Sequence, residues 1–195
     1  GWAFSIAALD MISHTPLLEI HPSVYCQLAL SSAHLYVSAD VTWRCLEEAI
    51  HSQKFVVQRW EWMCCCLQVL TAFGQWEDAE LVFKRCKEQI PKLSAWHETA
   101  VATYLEFLVH RVEDRIARMM ILYNMGWSPD LPRAETMAAI SIIAKINTAS
   151  KLCVTKGMGE YYRGLAYLFK SALKKTALLK KKYLEKAVEL LKEAE

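Results

Sequence analysis

Glycine and proline are scarce in this chain, and the few that occur stand far apart. The 195 residues include six glycines and five prolines. A β-sandwich or barrel of this length needs a turn every ~8–12 residues, and its turns rely on these two residue types. Leucine, alanine, glutamate, lysine and methionine fill the long intervals instead, and all of them favour helices. The sequence therefore predicts an all-α fold.

The stretch from Met63 to Pro91 has the features of two helices joined by a tight turn. An apolar run reaches Gly74, which lets the backbone turn sharply, and an aromatic residue follows at Trp76. The proline at the end of the stretch stops the second helix. Small, large and small side chains at helical spacing, which allow close helix packing, are Ala79, Phe83 and Cys86.

This arrangement resembles the tetratricopeptide repeat, a helix–turn–helix unit of about 34 residues. The resemblance implies antiparallel helix pairs stacked as a right-handed α-solenoid. Two further units match the repeat in part, from about Ser23 to Val56 and from about Glu98 to Leu131. The turn of the second of these is expected between Val109 and Asp114, where the glycine of the repeat is missing.

The resemblance also divides the chain into three parts. Residues 1–22 are expected to form a leading helix that continues from a longer protein, and residues 23–131 to form three helix pairs. Residues 132–195 are expected to form C-terminal helices that include an irregular, lysine-rich pair. In that pair the interval between Gly164 and Ala187 is too long for the repeat, which implies either extended helices or an extra loop.

Seven cysteines indicate a reducing, intracellular compartment, with the cytoplasm favoured over the mitochondrion. Three of them are adjacent, Cys64 to Cys66, and neighbouring side chains on a helix point about 100° apart. They cannot close a set of disulfides or chelate one metal together. No Cys-x-x-Cys pair or Cys/His cluster has zinc-site spacing. We expect reduced thiols, no metal and no cofactor.

Motifs with catalytic chemistry are missing from the sequence. It contains no glycine-rich phosphate loop, no G-x-S-x-G turn and no H-E-x-x-H pair. We therefore expect a non-catalytic protein with no small-molecule substrate and no membrane association, which binds other proteins of a multi-subunit assembly as a scaffold. By resemblance, the partner-binding groove lies on the first helix of each pair and is lined by Gln27, Ser31, His34, Cys64, Gln68, Thr71, Glu106 and His110.

Tryptophans are a second expected source of partner contacts, because tryptophan is enriched at interface hot spots. The chain has seven of them, which is many for one small core. Those expected to be exposed, with some anchoring neighbouring proteins, are Trp2, Trp43, Trp60, Trp62 and Trp127.

The lysine-rich end is the other candidate surface. From Lys170 to Glu195 eight lysines face four glutamates, although the whole chain has a net charge of only +2. The basic patch comprises Lys174, Lys175, Lys180, Lys181 and Lys182. An apolar stripe is expected to face the core, with the lysines outside, along Leu173, Ala177, Leu184, Ala187 and Leu191. Weak contact with RNA or an acidic protein tail is left open here.

An RNA-binding alternative comes from the pentatricopeptide repeat, another helix–turn–helix unit of similar length. Gly126 to Asp130 has some similarity to the linker of that family. In pentatricopeptide units the proline falls further along the chain than it does here, twelve residues after both Ala79 and Ala117. This spacing favours the protein-binding family. The alternative is a pentatricopeptide-like protein of an organellar ribonucleoprotein.

Overall fold

The computed structural model describes residues 21–35, 39–126, 130–174 and 176–195. These residues form α-helices and one short 3-10 helix, Ser150–Leu152, and contain no strand, so the all-α prediction is confirmed. The α-helices are α1 Pro22–His34, α2 Ala39–His51, α3 Val56–Ala72, α4 Trp76–Gln89, α5 Ala95–Asn124, α6 Asp130–Ala149, α7 Met158–Ala172 and α8 Ala177–Ala194. The expected leading helix lies almost entirely outside the described residues.

The chain divides into two compact units, residues 1–103 and residues 104–195. In the first unit, α1 and α3 run parallel. The Ser23 hydroxyl donates a hydrogen bond to Glu61 at 2.5 Å, and the Cys65 thiol donates to the Cys26 carbonyl at 3.3 Å. Residue numbers therefore increase in the same direction along both helices.

Helix α2 packs beside α1 and α3 and is antiparallel to α3. The indole N–H of Trp62 on α3 donates to the Leu46 carbonyl on α2 at 2.9 Å. Further along α3, the Phe73 ring centroid lies 6.2 Å from that of Trp43, which comes earlier on α2. The shared core of these helices contains small side chains, such as Ala29 and Ala49, which let the backbones approach closely.

Helices α3 and α4 form the hairpin that the sequence predicts. Gly74 has a φ of +67°, a conformation that glycine adopts without strain. The amide of Gln75 donates to Leu70 at 2.9 Å and that of Gly74 to Thr71 at 3.1 Å, which is the Schellman pattern of a helix C-terminus. Ala79 and Phe83 are both buried. The predicted hairpin with its buried pair is therefore confirmed.

The predicted turn between Val109 and Asp114 is wrong. Helix α5 runs without interruption from Ala95 to Asn124, so this segment is one 30-residue helix rather than a helix pair. No glycine or proline interrupts it, and Val112, inside the expected turn, is buried. Ala117 and Ile121, which match small and large core positions of the repeat, are exposed. The match to the repeat pattern there is a coincidence of spacing.

The second unit contains an antiparallel hairpin of α7 and α8. The Ser171 hydroxyl near the end of α7 donates to the Lys180 carbonyl near the start of α8 at 3.2 Å. Gly164 faces α8 so closely that a Cβ atom there would lie 2.8 Å from Cδ2 of Leu191. The irregular pair is thus built from extended helices, with a short connection over residues 173–176.

The cysteines all lie within the described residues, and none forms a disulfide. Six are buried, while Cys153 is half-buried. Burial raises the pKa of the Cys45 thiol to about 11, and it also raises the pKa of Cys66. A hydrogen bond with Cys86, together with burial, raises the pKa of Cys64, and the same bond lowers the pKa of Cys86. The buried thiols fill the core as small apolar side chains.

No helix in the described part of the chain is both long enough and apolar enough to cross a membrane.

Replacing Ala79 by leucine should destabilise the protein. The side chain is fully buried between α3 and α4, and overpacking such a contact costs roughly 1–3 kcal/mol. Lys84→Leu introduces the same residue at an exposed position of the same helix and serves as the control. Urea unfolding monitored by circular dichroism measures the difference, and equal midpoints for the two variants would contradict close packing at Ala79.

Thiol accessibility should follow burial. Because the thiolate is the reactive form, N-ethylmaleimide at about pH 8 should modify Cys153 first in the native protein. Denaturation without a reductant should expose all seven thiols. Mass spectrometry of the intact protein and of its peptides measures both states. Rapid native labelling of Cys65 or Cys66, or fewer than seven adducts after denaturation, would show that the packing or the redox state is different.

Candidate binding surfaces

In the first unit, residues predicted to line the groove lie along the surface where α1 and α3 meet. Ser23 and Glu61 mark where these helices touch. Gln27 lies one turn beyond Ser23 on the same side of α1, and Gln68 lies two turns beyond Glu61 on that side of α3. Gln27 is exposed and Gln68 is half-buried. We call this surface the α1–α3 furrow.

Three other predicted groove residues occupy the exposed parts of the same helices. Ser31 and His34 continue along α1 beyond Gln27, and His34 is exposed. Thr71 lies one turn beyond Gln68 on α3 and is half-buried, with its hydroxyl donating to the Gln68 carbonyl at 2.7 Å. These side chains extend the furrow with short polar groups and a single imidazole.

Cys64 does not line this surface, which corrects the prediction for that residue. Its side chain is only 2% exposed, and its thiol donates to the Trp96 carbonyl at 3.2 Å. The first turn of α5 therefore covers the position that the repeat pattern assigns to a partner. The residue acts in packing, as the other cysteines of α3 do.

Glu106 and His110 are both exposed on α5, in the second unit. His110 Nδ1 lies 3.2 Å from Glu113, one turn further along the helix. The charge of Glu106, after burial, contributes to the raised pKa of Tyr162 on α7. These two predicted residues thus share a polar stretch of α5 in which acidic and basic side chains alternate. They belong to the second unit and are described separately from the furrow.

The basic patch is distributed around the start of α8. Lys180, Lys181 and Lys182 are exposed, while Lys174 is half-buried with its ammonium 5.9 Å from the centroid of the Tyr183 ring. Lys175 lies outside the described residues. Lys181 is 3.9 Å from Glu185, and both side chains are mostly exposed. Exposed pairs of this kind contribute at most ~1 kcal/mol, so Lys181 can exchange its partner readily.

Helix α8 carries two apolar faces, where the sequence led us to expect one. The first packs against α7 and comprises Tyr183, Ala187, Leu190 and Ala194. The second is offset by one residue, about 100° around the helix, and comprises Ala177, Leu184 and Val188, whereas Leu191 packs against Gly164 of α7. Leu184 and Val188 are 45% and 49% exposed. The expectation that the apolar stripe faces the core is therefore wrong for Ala177 and Leu184.

The tryptophans on α2 and α3 are integrated into the core rather than freely exposed. Trp43 and Trp62 are half-buried and pack against the core of the first unit, and the Trp62 indole is hydrogen-bonded. Trp60 is also half-buried. Trp2 and Trp127 lie outside the described residues. The prediction of exposed anchors is thus wrong for Trp43 and Trp62.

Among the described residues, no group of three or more histidine, cysteine, aspartate or glutamate side chains is placed to hold a metal ion. The neighbouring thiols on α3 point in different directions: Cys64 donates a hydrogen bond to the Trp96 carbonyl on α5, whereas Cys65 donates to the Cys26 carbonyl on α1. Adjacent positions on α3 thus point to different helices, as helix geometry requires.

No family model, curated protein or solved structure matches the chain. The function must therefore be inferred from the surfaces described above.

Proposed function

We propose that this protein is a non-catalytic helical-repeat scaffold, related to the tetratricopeptide repeat, that holds other proteins within a larger assembly. The observation that carries the proposal is the α1–α3 furrow. Two parallel helices border it, as the first helices of successive repeat units do, and beyond Glu61 its polar side chains are amides, hydroxyls and one imidazole. Such a surface suits a polypeptide segment that supplies its own hydrogen-bonding groups.

The packing of the first unit supports this proposal. Helices α1, α2, α3 and α4 follow one another through short connections, and the α3–α4 turn is closed by Gly74. Repeats of this kind present their first helices to ligands and keep the second helices behind them. Gln68 is the one side chain between Met63 and Leu70 that is not buried, so it is the natural contact point on α3.

Under this proposal the protein needs no cofactor and no small-molecule substrate. The partners are other subunits, and Glu106 and His110 on α5 provide a further exposed polar surface for them. The proposed site of action is a reducing compartment, most simply the cytoplasm, because the six buried cysteines are packed as thiols.

Blocking the furrow should release the partner proteins. Gln27→Arg combined with Gln68→Arg adds bulk and positive charge to both borders of the furrow, and we expect recovery of stoichiometric partners to fall by at least about tenfold, or roughly 1.4 kcal/mol. The measurement is affinity purification of the tagged chain from its own cells, followed by quantitative mass spectrometry.

The matched control is Gln75→Arg combined with Gln89→Arg, which makes the same two changes at exposed positions. Gln75 immediately precedes α4, and Gln89 is its last residue. This control should retain the partners. Equal recovery with both double variants would remove the furrow from the proposal, and the absence of any stoichiometric partner would contradict the scaffold function itself.

RNA binding is the alternative function, and the basic patch is the place to test it. We expect the unmodified chain to bind RNA only weakly and without sequence preference in a filter-binding assay. Changing Lys174, Lys175, Lys180, Lys181 and Lys182 to glutamine should abolish this binding. In variants with fewer changes, a plot of log binding constant against log salt concentration should become shallower. The slope should change by about 0.7 for each single-strand phosphate that the chain no longer neutralises. Tight, sequence-selective binding that survives these changes would favour the pentatricopeptide-like alternative.

A further inference from the structure

We infer that the exposed face of α8 is a docking surface for an amphipathic helix of a partner protein, one that carries acidic residues beside its apolar side chains. This inference deepens the proposed scaffold function and rests on it, because it assigns a second surface and a class of partner. It is carried by the second apolar face of α8 and by the lysines that border it.

The second apolar face has the spacing of a helix–helix seam. Along Ala177, Lys181, Leu184 and Val188 the intervals are four, three and four residues. This is the a/d spacing by which one helix packs lengthwise on another. A shallow, open groove of about 600 Å³ lies on this face and is lined by residues of α8 alone.

The charges beside this groove are complementary to an acidic partner. Two lysines and one carboxylate line it, Lys180, Lys181 and Glu185, so positive charge is in excess there. Within the described part of the chain neither Lys180 nor Lys182 has a carboxylate at ion-pair distance. Lys181 also interrupts the apolar seam at a single position. A lysine at such a position sets the register of a helix pair when an acidic or polar group faces it. The preferred partner therefore places a glutamate or aspartate opposite Lys181.

The same geometry disfavours RNA as the occupant. A phosphate backbone would satisfy the lysines but would leave Leu184 and Val188 in water or against charged groups. Burying those two side chains requires an apolar surface. An acidic amphipathic helix satisfies both parts of the surface at once, since its apolar side chains cover the seam and its carboxylates meet the lysines.

The hairpin with α7 keeps this face in place. Ala187 is fully buried on the first apolar face of α8, and Gly164 allows α7 and α8 to approach closely. Tyr167 and Tyr183 lie against each other with ring centroids 6.0 Å apart. Substitutions at Leu184 and Val188 on the outer face can therefore test binding without removing the packing that holds α8.

The test uses two synthetic helical peptides of about three heptads. Both carry leucine at the seam positions; one has glutamate at the flanking positions and the other has lysine there. Each is labelled and titrated with the full chain while fluorescence anisotropy is recorded. We expect the acidic peptide to bind at least about tenfold more tightly than the basic one. The affinity of the acidic peptide should decrease when NaCl is raised from roughly 50 to 300 mM, because salt screens exposed charges.

Variants separate the two contributions. The double variant Leu184→Asp, Val188→Asp should bind the acidic peptide at least about tenfold more weakly than the unmodified chain does. Lys180→Glu with Lys181→Glu should reverse the preference, so that the basic peptide binds more tightly. Leu93→Asp and Lys84→Glu make the same kinds of change at exposed positions of the first unit and should alter neither affinity. Circular dichroism melting confirms that each variant is folded.

Several outcomes would overturn the inference. They are failure of the acidic peptide to bind, equal binding of both peptides, or binding that is unchanged by the Leu184 and Val188 substitutions. Loss of oligouridylate binding only in the lysine variant, with no peptide binding, would assign the surface to nucleic acid instead. Because the furrow variants leave α8 untouched, they should bind the acidic peptide normally. If the acidic peptide does not bind but the furrow still retains its partner proteins, this inference is contradicted and the proposed scaffold function is not.

Discussion

The burial of α3 between Met63 and Leu70 is the constraint on which the first unit depends. Helix α1 runs parallel to it, α2 and α4 pack antiparallel to it, and the first turn of α5 accepts a hydrogen bond from Cys64. A helix that is covered all round must be apolar all round, and between Met63 and Leu70 only Gln68 is not buried. Three consecutive cysteines suit this environment because they are small and apolar, with Cys64 reaching α5 and Cys65 reaching α1. The single polar exception then becomes the informative residue for function.

The fold was predictable where the sequence contains residues that end a helix. Gly74 and Pro91 bracket α4, and the hairpin between them formed as expected. The failure in α5 has the opposite cause. Ala117, Ile121 and Pro129 reproduce the spacing of a repeat, but nothing between Glu98 and Asn124 ends a helix. Side-chain spacing indicates which residues can share a face, whereas only capping and breaking residues determine where a helix stops.

The candidate surfaces were harder to predict than the helices, because exposure depends on neighbours that spacing does not identify. Cys64 and Gln68 are one turn apart on α3, and the repeat pattern treats them alike, yet α5 covers only the first. On α8, Leu184 and Ala187 both fit one apolar stripe in the sequence. The structure assigns them to different faces, since one face packs on α7 and the other lies open. Two adjacent stripes with the same 3–4 alternation cannot be distinguished until the neighbouring helix is known.

The two proposed surfaces differ in the physical basis of recognition, and this difference limits what each can bind. The α1–α3 furrow offers amides, hydroxyls and one imidazole, so specificity there comes from hydrogen bonds whose partners must be placed accurately. The face of α8 offers branched apolar side chains bordered by lysines, so binding there gains from apolar burial and from long-range attraction to acidic groups. The first kind of surface selects an extended or polar segment and depends little on salt. The second selects a helix with a defined charge pattern and depends on salt strongly. A scaffold that carries both surfaces, as we propose, recognises two chemically different kinds of partner.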